Sequence, residues 1–184
     1  MFSEVLNRAS DQNERLEFIR RSKGLWETRD GTIDYIYDAS LDGVKVLVKV
    51  VLRSYGTEVH AQLAAQHMAP QLWGTSDVRR IASVVVMEPL KAGWTTLFDY
   101  CENRHRNGIP EGPKTRLLKR LENILDCLCG NGMVHGDFRI ANIMLKPGEE
   151  EKTVLIDFDG AGEAGRVRYP VTRSDGLGYP GEPG

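Results

Sequence analysis

Residues 135–142 read HGDFRIAN, and residues 157–160 read DFDG at the end of an apolar run. A helical pattern precedes the first stretch, a short strand pattern follows it, and a second strand pattern leads directly into Asp157. This order aims several polar side chains into one cleft, because each of them adjoins the end of a regular element. Taken singly, Asp137 and Asn142 would be interpreted as turn or cap residues. Their combination with Asp157 favours a functional site.

The first stretch resembles the catalytic loop of the protein-kinase superfamily, in which His-x-Asp is followed by four residues and Asn. The second stretch resembles the magnesium-binding Asp-Phe-Gly turn of the same superfamily. This resemblance covers roughly residues 32–170. It implies an α+β, protein-kinase-like bilobal fold, with a small antiparallel-sheet N-lobe and a truncated, mainly helical C-lobe. It also implies ATP and Mg²⁺ as cofactors.

The resemblance assigns roles to four polar residues of these two stretches. Asn142 and Asp157 would be the metal ligands, since small hard cations prefer oxygen donors. Asp137 would accept or orient the proton of the acceptor hydroxyl, and Arg139 would neutralise the transferring phosphate with two donors. The expected catalytic residues are therefore Asp137, Arg139 and Asn142.

An upstream segment supplies the expected nucleotide-binding residues. Residues 46–49 read VLVK and resemble the strand that carries the phosphate-binding lysine, here Lys49. Glu58, nine residues later on a predicted helix, is its expected ion-pair partner. Residues 84–89, VVVMEP, resemble the hinge between the lobes, so that the backbone at Glu88 would bond to an adenine edge. The plainer interpretations are a solvent-facing lysine and a buried strand that ends at a proline.

The sequence also departs from the kinase pattern upstream of Lys49 and within the loop. Residues 26–40 contain a single glycine, Gly31, so the glycine-rich phosphate loop is absent or reduced. Gly136 stands where relatives controlled by loop phosphorylation carry arginine, and HGD resembles the loop of aminoglycoside and choline phosphotransferases instead. Control through a phosphorylated activation loop is therefore not expected. The run DFDGAG at 157–162, followed by RVRYP at 166–170, is most similar to uncharacterised protein-kinase-like proteins of fungi.

Only 24 residues follow Gly160, and the Ala-Pro-Glu signature is missing, so the fold is either minimal or cut short. We expect one kinase-like domain over residues 1–184. Its N-lobe would span about 24–90, its minimal C-lobe 91–170 and an irregular tail 171–184. With so short a C-terminal part, we also expect the apolar face of the helix from Pro113 to remain uncovered and the chain to be only marginally stable alone.

Periodicity predicts the following secondary structure. The expected helices lie in the first 23 residues, at 55–68, at 94–104 and from Pro113 to Leu128. A β-hairpin is expected from 35–37 and 44–52 around a turn at 41–43, with further strands at 71–73, 81–87, 143–145 and 154–156. The apolar face of the helix from Pro113 is formed by Leu117, Leu118, Leu121, Ile124, Leu125 and Leu128. Residues 146–152 between the last two strands hold three consecutive glutamates and are expected to form a solvated hairpin tip.

Composition restricts the class of protein. The 184 residues carry 24 Lys and Arg against 26 Asp and Glu, a net charge of −2, without the basic stripe of a nucleic-acid-binding protein. The first 21 residues lack the continuous apolar run of a signal peptide or membrane span, so we expect a cytoplasmic or nuclear protein. The odd number of cysteines, three, is typical of reduced packing residues.

Three functional interpretations remain open at this point. The chain is an active phosphotransferase, a pseudokinase that binds nucleotide or partners without turnover, or a fragment of a larger kinase-like protein. Asp137, Asn142 and Asp157 favour the first, because a scaffold has no chemical need for all three. The acceptor is a hydroxyl of either a protein or a small molecule.

Overall fold

The structure is a computed structural model, and it describes most of the chain between residues 4 and 167. The described residues are 4–6, 13–21, 35–52, 55–78, 81–90, 92–104 and 108–167. The predicted irregular tail lies outside these residues, as does the part of the glycine-loop region before Tyr35. The rest of that region is a strand.

One antiparallel sheet forms the N-terminal part of the described structure. Its strands are Glu4–Leu6 (β1), Asn13–Arg21 (β2), Tyr35–Leu41 (β3), Val44–Val51 (β4), Leu72–Val78 (β5) and Ala82–Met87 (β6). Their order across the sheet is β1-β2-β3-β4-β6-β5. A helix at Thr57–Ala65 (α1) connects β4 to β5. The predicted strands at 71–73 and 81–87 and the predicted helix at 55–68 are confirmed, with bounds that differ by a few residues.

The predicted β-hairpin is confirmed and carries Lys49. Its turn has positive φ at both Asp42 (46°) and Gly43 (84°), the backbone that matches the twist of two paired strands. Val46 and Val48 of β4 pack on one side of the sheet, and Leu47 packs on the other. Because side chains alternate along a strand, Lys49 points to the same side as Leu47.

The predicted N-terminal helix is wrong. Residues 4–6 and 13–21 are strands, and β2 pairs with β3 so that Leu16 lies opposite Leu41. This pairing buries Leu16 in a cluster with Ala39 and Val46. The helix-forming residues of the segment carry only a weak preference, and the hydrogen bonds and burial available at the edge of β3 outweigh it.

The second part of the structure is helical with short strands. It contains Thr95–Thr96 (β7), Leu97–Glu102 (α2), Glu111–Gly130 (α3), Met133–Val134 (β8), Ile143–Leu145 (β9), Val154–Leu155 (β10) and Gly162–Glu163 (β11). The predicted helix at 94–104 is shorter than expected, because residues 95–96 pair with β9. The predicted helix from Pro113 begins two residues earlier, at Glu111. Among the described residues, no helix combines the length and apolarity needed to cross a membrane.

The apolar face of α3 is covered, contrary to prediction. Leu117, Ile124 and Leu128 are buried in the main core together with α1, α2, β9 and β10. Leu118 and Leu125 were assigned to this same face but are 50% and 42% exposed. The expected uncovered surface therefore shrinks to these two residues, because the face that packs is narrower than the leucine pattern indicated.

The cysteines only partly match their predicted packing role. Cys101 and Cys127 pack against the main core, whereas Cys129 is exposed.

The predicted solvated tip at 146–152 is wrong for its central glutamate. Glu150 is 1% exposed and lies beneath α3. Its carboxylate accepts hydrogen bonds from Arg116 Nη2 at 2.7 Å, from the Gly148 N–H at 2.9 Å and from the Tyr100 hydroxyl at 3.3 Å. Burial opposes the charged form, but the Gly148 N–H and the Arg116 guanidinium lower the pKa of Glu150 to about 2. This carboxylate therefore anchors the turn to α3.

Removing the guanidinium partner of Glu150 is expected to destabilise the protein. Arg116→Ala should cost about 2 kcal/mol, less than a fully buried pair because Arg116 is half-exposed, yet clearly measurable since the carboxylate stays buried. Urea unfolding at pH 7 checks this. Lys119→Ala on the same helix is the control, since its ion pair with Glu122 is exposed, and it should cost under about 0.5 kcal/mol. Equal losses for both variants would contradict the anchoring role.

The same carboxylate predicts a pH dependence. Because the folded pKa of Glu150 lies near 2 and below its ordinary value of 4.5, its contribution is present above pH 4.5 and is lost as the pH falls toward 2. As the pH falls from 4.5 toward 2, the free energy of unfolding of the Arg116→Ala variant should therefore decrease less than that of the native chain.

Candidate active site

The loop at 135–142 is fixed to the segment before Asp157 by a buried histidine. His135 Nε2 lies 2.9 Å from the Ile156 carbonyl, and its Nδ1 lies 3.3 Å from the Asp137 N–H. A carbonyl only accepts, so Nε2 carries the proton and Nδ1 accepts. Burial lowers the pKa of His135, which keeps the ring neutral in these bonds. A backbone bond from the Ile156 N–H to the Asn142 carbonyl, at 2.9 Å, joins the same two segments.

The structure brings the three predicted catalytic residues together. Asn142 Nδ2 donates to Asp137 Oδ2 at 2.7 Å and to the Asp137 carbonyl at 2.9 Å. Arg139 Nε lies 2.9 Å from the same Oδ2. Among the described residues, no group bonds to Asp137 Oδ1, although this atom is buried. An unpaired buried carboxylate oxygen is an expensive feature and marks the position where a donor from a substrate or water would bind.

Asn142 and Asp157 offer the oxygen donors that a magnesium ion needs. Both amide N–H bonds of Asn142 go to Asp137, which leaves its amide oxygen for a cation. Asp157 lies at the turn after β10 with φ +66°, a conformation rare for residues other than glycine and found at functional turns. The chemistry of these donors fits Mg²⁺. Within the described ranges, no cluster of three or more His, Cys, Asp and Glu residues forms a metal site.

Lys49 reaches this turn from β4. Its Nζ lies 2.6 Å from Asp157 Oδ1 and 2.7 Å from Asp159 Oδ1, and the lysine is buried. Burial alone would lower the pKa of Lys49, but the two carboxylates raise it above its ordinary value. Lys49 is thus a charged group held inside the site, and the plainer interpretation of a solvent-facing lysine is wrong.

The two carboxylates respond to this environment in opposite directions. Burial opposes ionisation of both, but the Lys49 ammonium lowers the pKa of Asp157. Burial, and next the negative charge of Asp157, raise the pKa of Asp159 to about 6. Like charges held this close cannot both ionise freely, so Asp159 is the weaker acid of the pair. Asp159 is not among the site residues that the sequence predicts, although its position two residues after Asp157 is a usable signal.

The predicted ion pair between Lys49 and Glu58 is not formed. Lys49 contacts Asp157 and Asp159 instead, while Glu58 is exposed in the first turn of α1. Spacing along the chain placed Glu58 on the correct helix but does not determine toward which side the first turn of that helix points.

A stack of buried aromatic rings supports the turn and was not predicted. His60 of α1 stacks on Phe158 with centroids 4.5 Å apart, and Phe158 meets His135 edge-on at 5.0 Å. His60 Nε2 lies 2.8 Å from the Pro70 carbonyl and therefore carries the ring proton, so Nδ1 accepts a hydrogen bond from the Tyr55 hydroxyl at 2.7 Å. Burial lowers the pKa of His60 to about 4, which keeps this ring neutral. The stack therefore connects α1 to the residues on both sides of the site.

Two glycines allow the backbone segments of the site to approach closely. A Cβ on Gly136, where φ is +78°, would lie 2.2 Å from the Gly160 carbonyl oxygen. A Cβ on Gly56, at the start of α1, would lie 2.5 Å from the Ala161 Cβ. The Gly56 N–H donates to the Phe158 carbonyl at 2.9 Å. Both contacts hold the turn at 158–161 against its neighbours, and neither leaves room for a side chain.

A hydrogen bond within the protein already uses the Glu88 N–H that was predicted to bond to an adenine edge. The Glu88 N–H donates to the Gln71 carbonyl at 2.8 Å, and the Glu88 side chain accepts from the Gln71 N–H at 3.3 Å. An adenine edge therefore cannot use this N–H unless the bond opens.

Comparison with known proteins places these features in a family and a fold. A family model described as the lipopolysaccharide kinase (Kdo/WaaP) family matches residues 56–172. No curated protein matches the chain.

Three similar solved structures are kinases. The kinase PK-1 of Cydia pomonella granulovirus is 18% identical, with a TM-score of 0.63 over 82% of this chain and 53% of that one. The BubR1 kinase domain is 20% identical, with a TM-score of 0.55 over 83% and 48%. Vaccinia related kinase 3 is 15% identical, with a TM-score of 0.56 over 87% and 51%. The chain spans about half the length of each, and the predicted α+β kinase-like fold is confirmed.

Proposed function

This chain belongs to the lipopolysaccharide kinase (Kdo/WaaP) family, and from that premise we propose that it is a phosphotransferase that uses ATP and Mg²⁺ to phosphorylate a hydroxyl group. The observation that carries the proposal is the convergence of Lys49 with Asp157 and Asp159, more than 100 residues away in sequence, beside the bonded trio of Asp137, Arg139 and Asn142. An arrangement of one cation, carboxylates and an amide oxygen suits phosphoryl transfer, which depends on positioning and charge neutralisation.

In the proposed reaction, the residues of this chain bind the nucleotide and the metal, orient the acceptor hydroxyl and accept its proton. Lys49 binds the nucleotide phosphates, and Asn142 and Asp157 hold the metal. Bound Mg²⁺ supplies neutralisation of phosphate charge. Asp137 orients the acceptor hydroxyl through its unpaired Oδ1 and accepts its proton there. Arg139, held by Oδ2 of the same carboxylate, places its guanidinium beside the transferred phosphate.

A small-molecule or carbohydrate hydroxyl is the proposed acceptor, with a protein hydroxyl as the alternative. The family is named for a lipopolysaccharide kinase. The HGD form of the loop, similar to that of aminoglycoside and choline phosphotransferases, favours the same class. Glu58 stays in the proposal as the ion-pair partner of Lys49, and the Glu88 backbone stays as an adenine contact. Both require a rearrangement, because Lys49 and the Glu88 N–H have other partners in this structure.

The metal assignment predicts which variants lose nucleotide binding. Asp157→Ala and Asn142→Ala should weaken Mg²⁺-dependent binding of a non-hydrolysable ATP analogue at least about tenfold, because each removes an oxygen donor. Asp137→Ala should change this affinity much less, since its role lies on the acceptor side. Titration calorimetry with and without Mg²⁺ measures all three. Equal affinity of Asp157→Ala and the native chain in Mg²⁺ would disprove the metal assignment and remove the main support for the proposed function.

The second candidate is nucleotide or partner binding without turnover. The observation that favours it is that Asp157 and Asp159 both contact the Lys49 ammonium, which has to turn toward phosphates before it can act on them. A native chain that binds the ATP analogue but transfers no phosphate to water or to any hydroxyl acceptor in a panel of sugars and peptides would support this candidate over the first.

A further inference from the structure

The carboxylates of Asp157 and Asp159 form a pair around a single internal cation. Each places an oxygen within 2.7 Å of Lys49 Nζ, so the two acids and one base carry one uncompensated negative charge when all are ionised. No other charged side chain of the described residues forms a salt bridge to this trio. The Tyr55 hydroxyl donates its hydrogen bond to His60 Nδ1, so it cannot also donate one to this trio.

The three side chains differ in their exposure to solvent, and the two carboxylates are more exposed than the lysine. The Lys49 side chain is 9% exposed, whereas those of Asp157 and Asp159 are 30% and 38% exposed. The ammonium is therefore the least exposed of the three groups, and both carboxylates keep contact with solvent.

The backbone keeps the two carboxylates together. Asp157 has a left-handed backbone, and the Ala161 N–H donates to the Phe158 carbonyl at 3.1 Å, which closes the turn that contains Asp159. Phe158, between the two acids, is locked in the stack with His60 and His135. Both acids thus project from one rigid turn, as a built ion site requires.

We propose that Asp159 is a second carboxylate ligand of the metal held by Asp157, and that the Lys49 ammonium occupies part of this cation site when no metal is bound. This inference rests on the proposed function and adds to it a ligand that the kinase-like motif does not include. A divalent ion that replaces the ammonium between two carboxylates balances their charge and releases Lys49 for nucleotide phosphates. The same three residues would thereby couple metal entry to the freeing of the phosphate-binding lysine.

The test measures metal binding alone, without nucleotide or turnover. Mn²⁺ is titrated into the native chain and its variants at pH 8, and free Mn²⁺ is followed by its electron paramagnetic resonance signal. Asp159→Asn should weaken Mn²⁺ binding at least about tenfold, comparable to Asp157→Ala. Glu163→Gln is the matched control, a nearby exposed carboxylate paired with Arg166 at 3.0 Å, and should leave the affinity unchanged.

A variant with the opposite expected effect makes the test independent of how well Asp159→Asn folds. Lys49→Met removes the internal cation and keeps both carboxylates, so it should bind Mn²⁺ several-fold more tightly than the native chain. An unchanged or lower affinity of this variant overturns the inference.

The remaining outcomes separate this inference from the proposed function. If Asp157→Ala weakens Mn²⁺ binding but folded Asp159→Asn does not, Asp159 is only a counter-ion of Lys49, and the inference fails while the proposed function stands. If neither variant changes Mn²⁺ binding, the metal site itself is misassigned and both fail.

Discussion

Replacing Gly136 by alanine is expected to lower the rate of phosphotransfer at least about 10²-fold and to destabilise the protein. The added Cβ would lie 2.2 Å from the Gly160 carbonyl oxygen, 2.7 Å from the Gly160 carbonyl carbon and 3.2 Å from its Cα. These are backbone atoms, so no flexible side chain can move aside. The loop with Asp137 must then separate from the turn with Asp157. Displacement of about 1 Å between reacting groups costs about 10²-fold in rate, and we expect at least that loss.

The control for Gly136→Ala is Gly132→Ala. Gly132 also has a positive φ, +63°, but a Cβ there meets no atom within 4 Å. Backbone strain alone costs about 1–2 kcal/mol in both variants, so the difference between them isolates the collision with Gly160. Steady-state kinetics and urea unfolding measure the two effects. If the two variants lose the same stability and Gly136→Ala keeps its activity, the close approach of the loop and the turn is not required.

Replacing Asp137 by asparagine is expected to lower kcat about 10³-fold while the affinity for nucleotide stays within a few-fold of the native value. Asparagine has nearly the same shape, but it cannot accept the proton of the acceptor hydroxyl. The unpaired Oδ1 is the atom that loses this capacity, since Oδ2 is already occupied by Asn142 and Arg139. Single-turnover kinetics with bound nucleotide separate this chemical step from binding.

The comparison variant for Asp137→Asn is Asp126→Asn, which makes the same change at an exposed position on α3. It should keep native kcat and stability. A kcat for Asp137→Asn within tenfold of the native rate, in a variant that melts normally, would show that another group accepts the proton or that none is needed.

Much of the fold was predictable because it depends on local signals. The hairpin turn at Asp42 and Gly43 needs positive φ, and residues of those types supply it. The helix α3 follows a strong apolar period, although only part of that period is buried. The N-terminal strands were missed because β2 gains its hydrogen bonds from β3, which a local pattern does not contain.

In the candidate site too, the residues that are close in sequence were predictable, and a residue that depends on tertiary contacts was not. Asp137, Arg139 and Asn142 lie within six residues of each other, so their spacing along the chain already predicts their contacts. His60 gave no signal of its own, because a single histidine between Val59 and Ala61 does not indicate whether its ring is buried. It is buried because Tyr55 and Pro70 satisfy both of its ring nitrogens.

The linear motif established the residue types of the site, their order and the family resemblance, because phosphoryl transfer requires particular oxygen and cation donors at short, fixed spacings. The partner of Lys49 could come only from the folded chain. Glu58 is nearer in sequence, but the contacts formed are with Asp157 and Asp159, 108 and 110 residues away. Glu150 became a buried anchor for a similar reason, since Arg116 approaches it only after α3 has packed. Side-chain direction and burial are set by the packing of whole elements, and they determine which of several suitable charges form a pair.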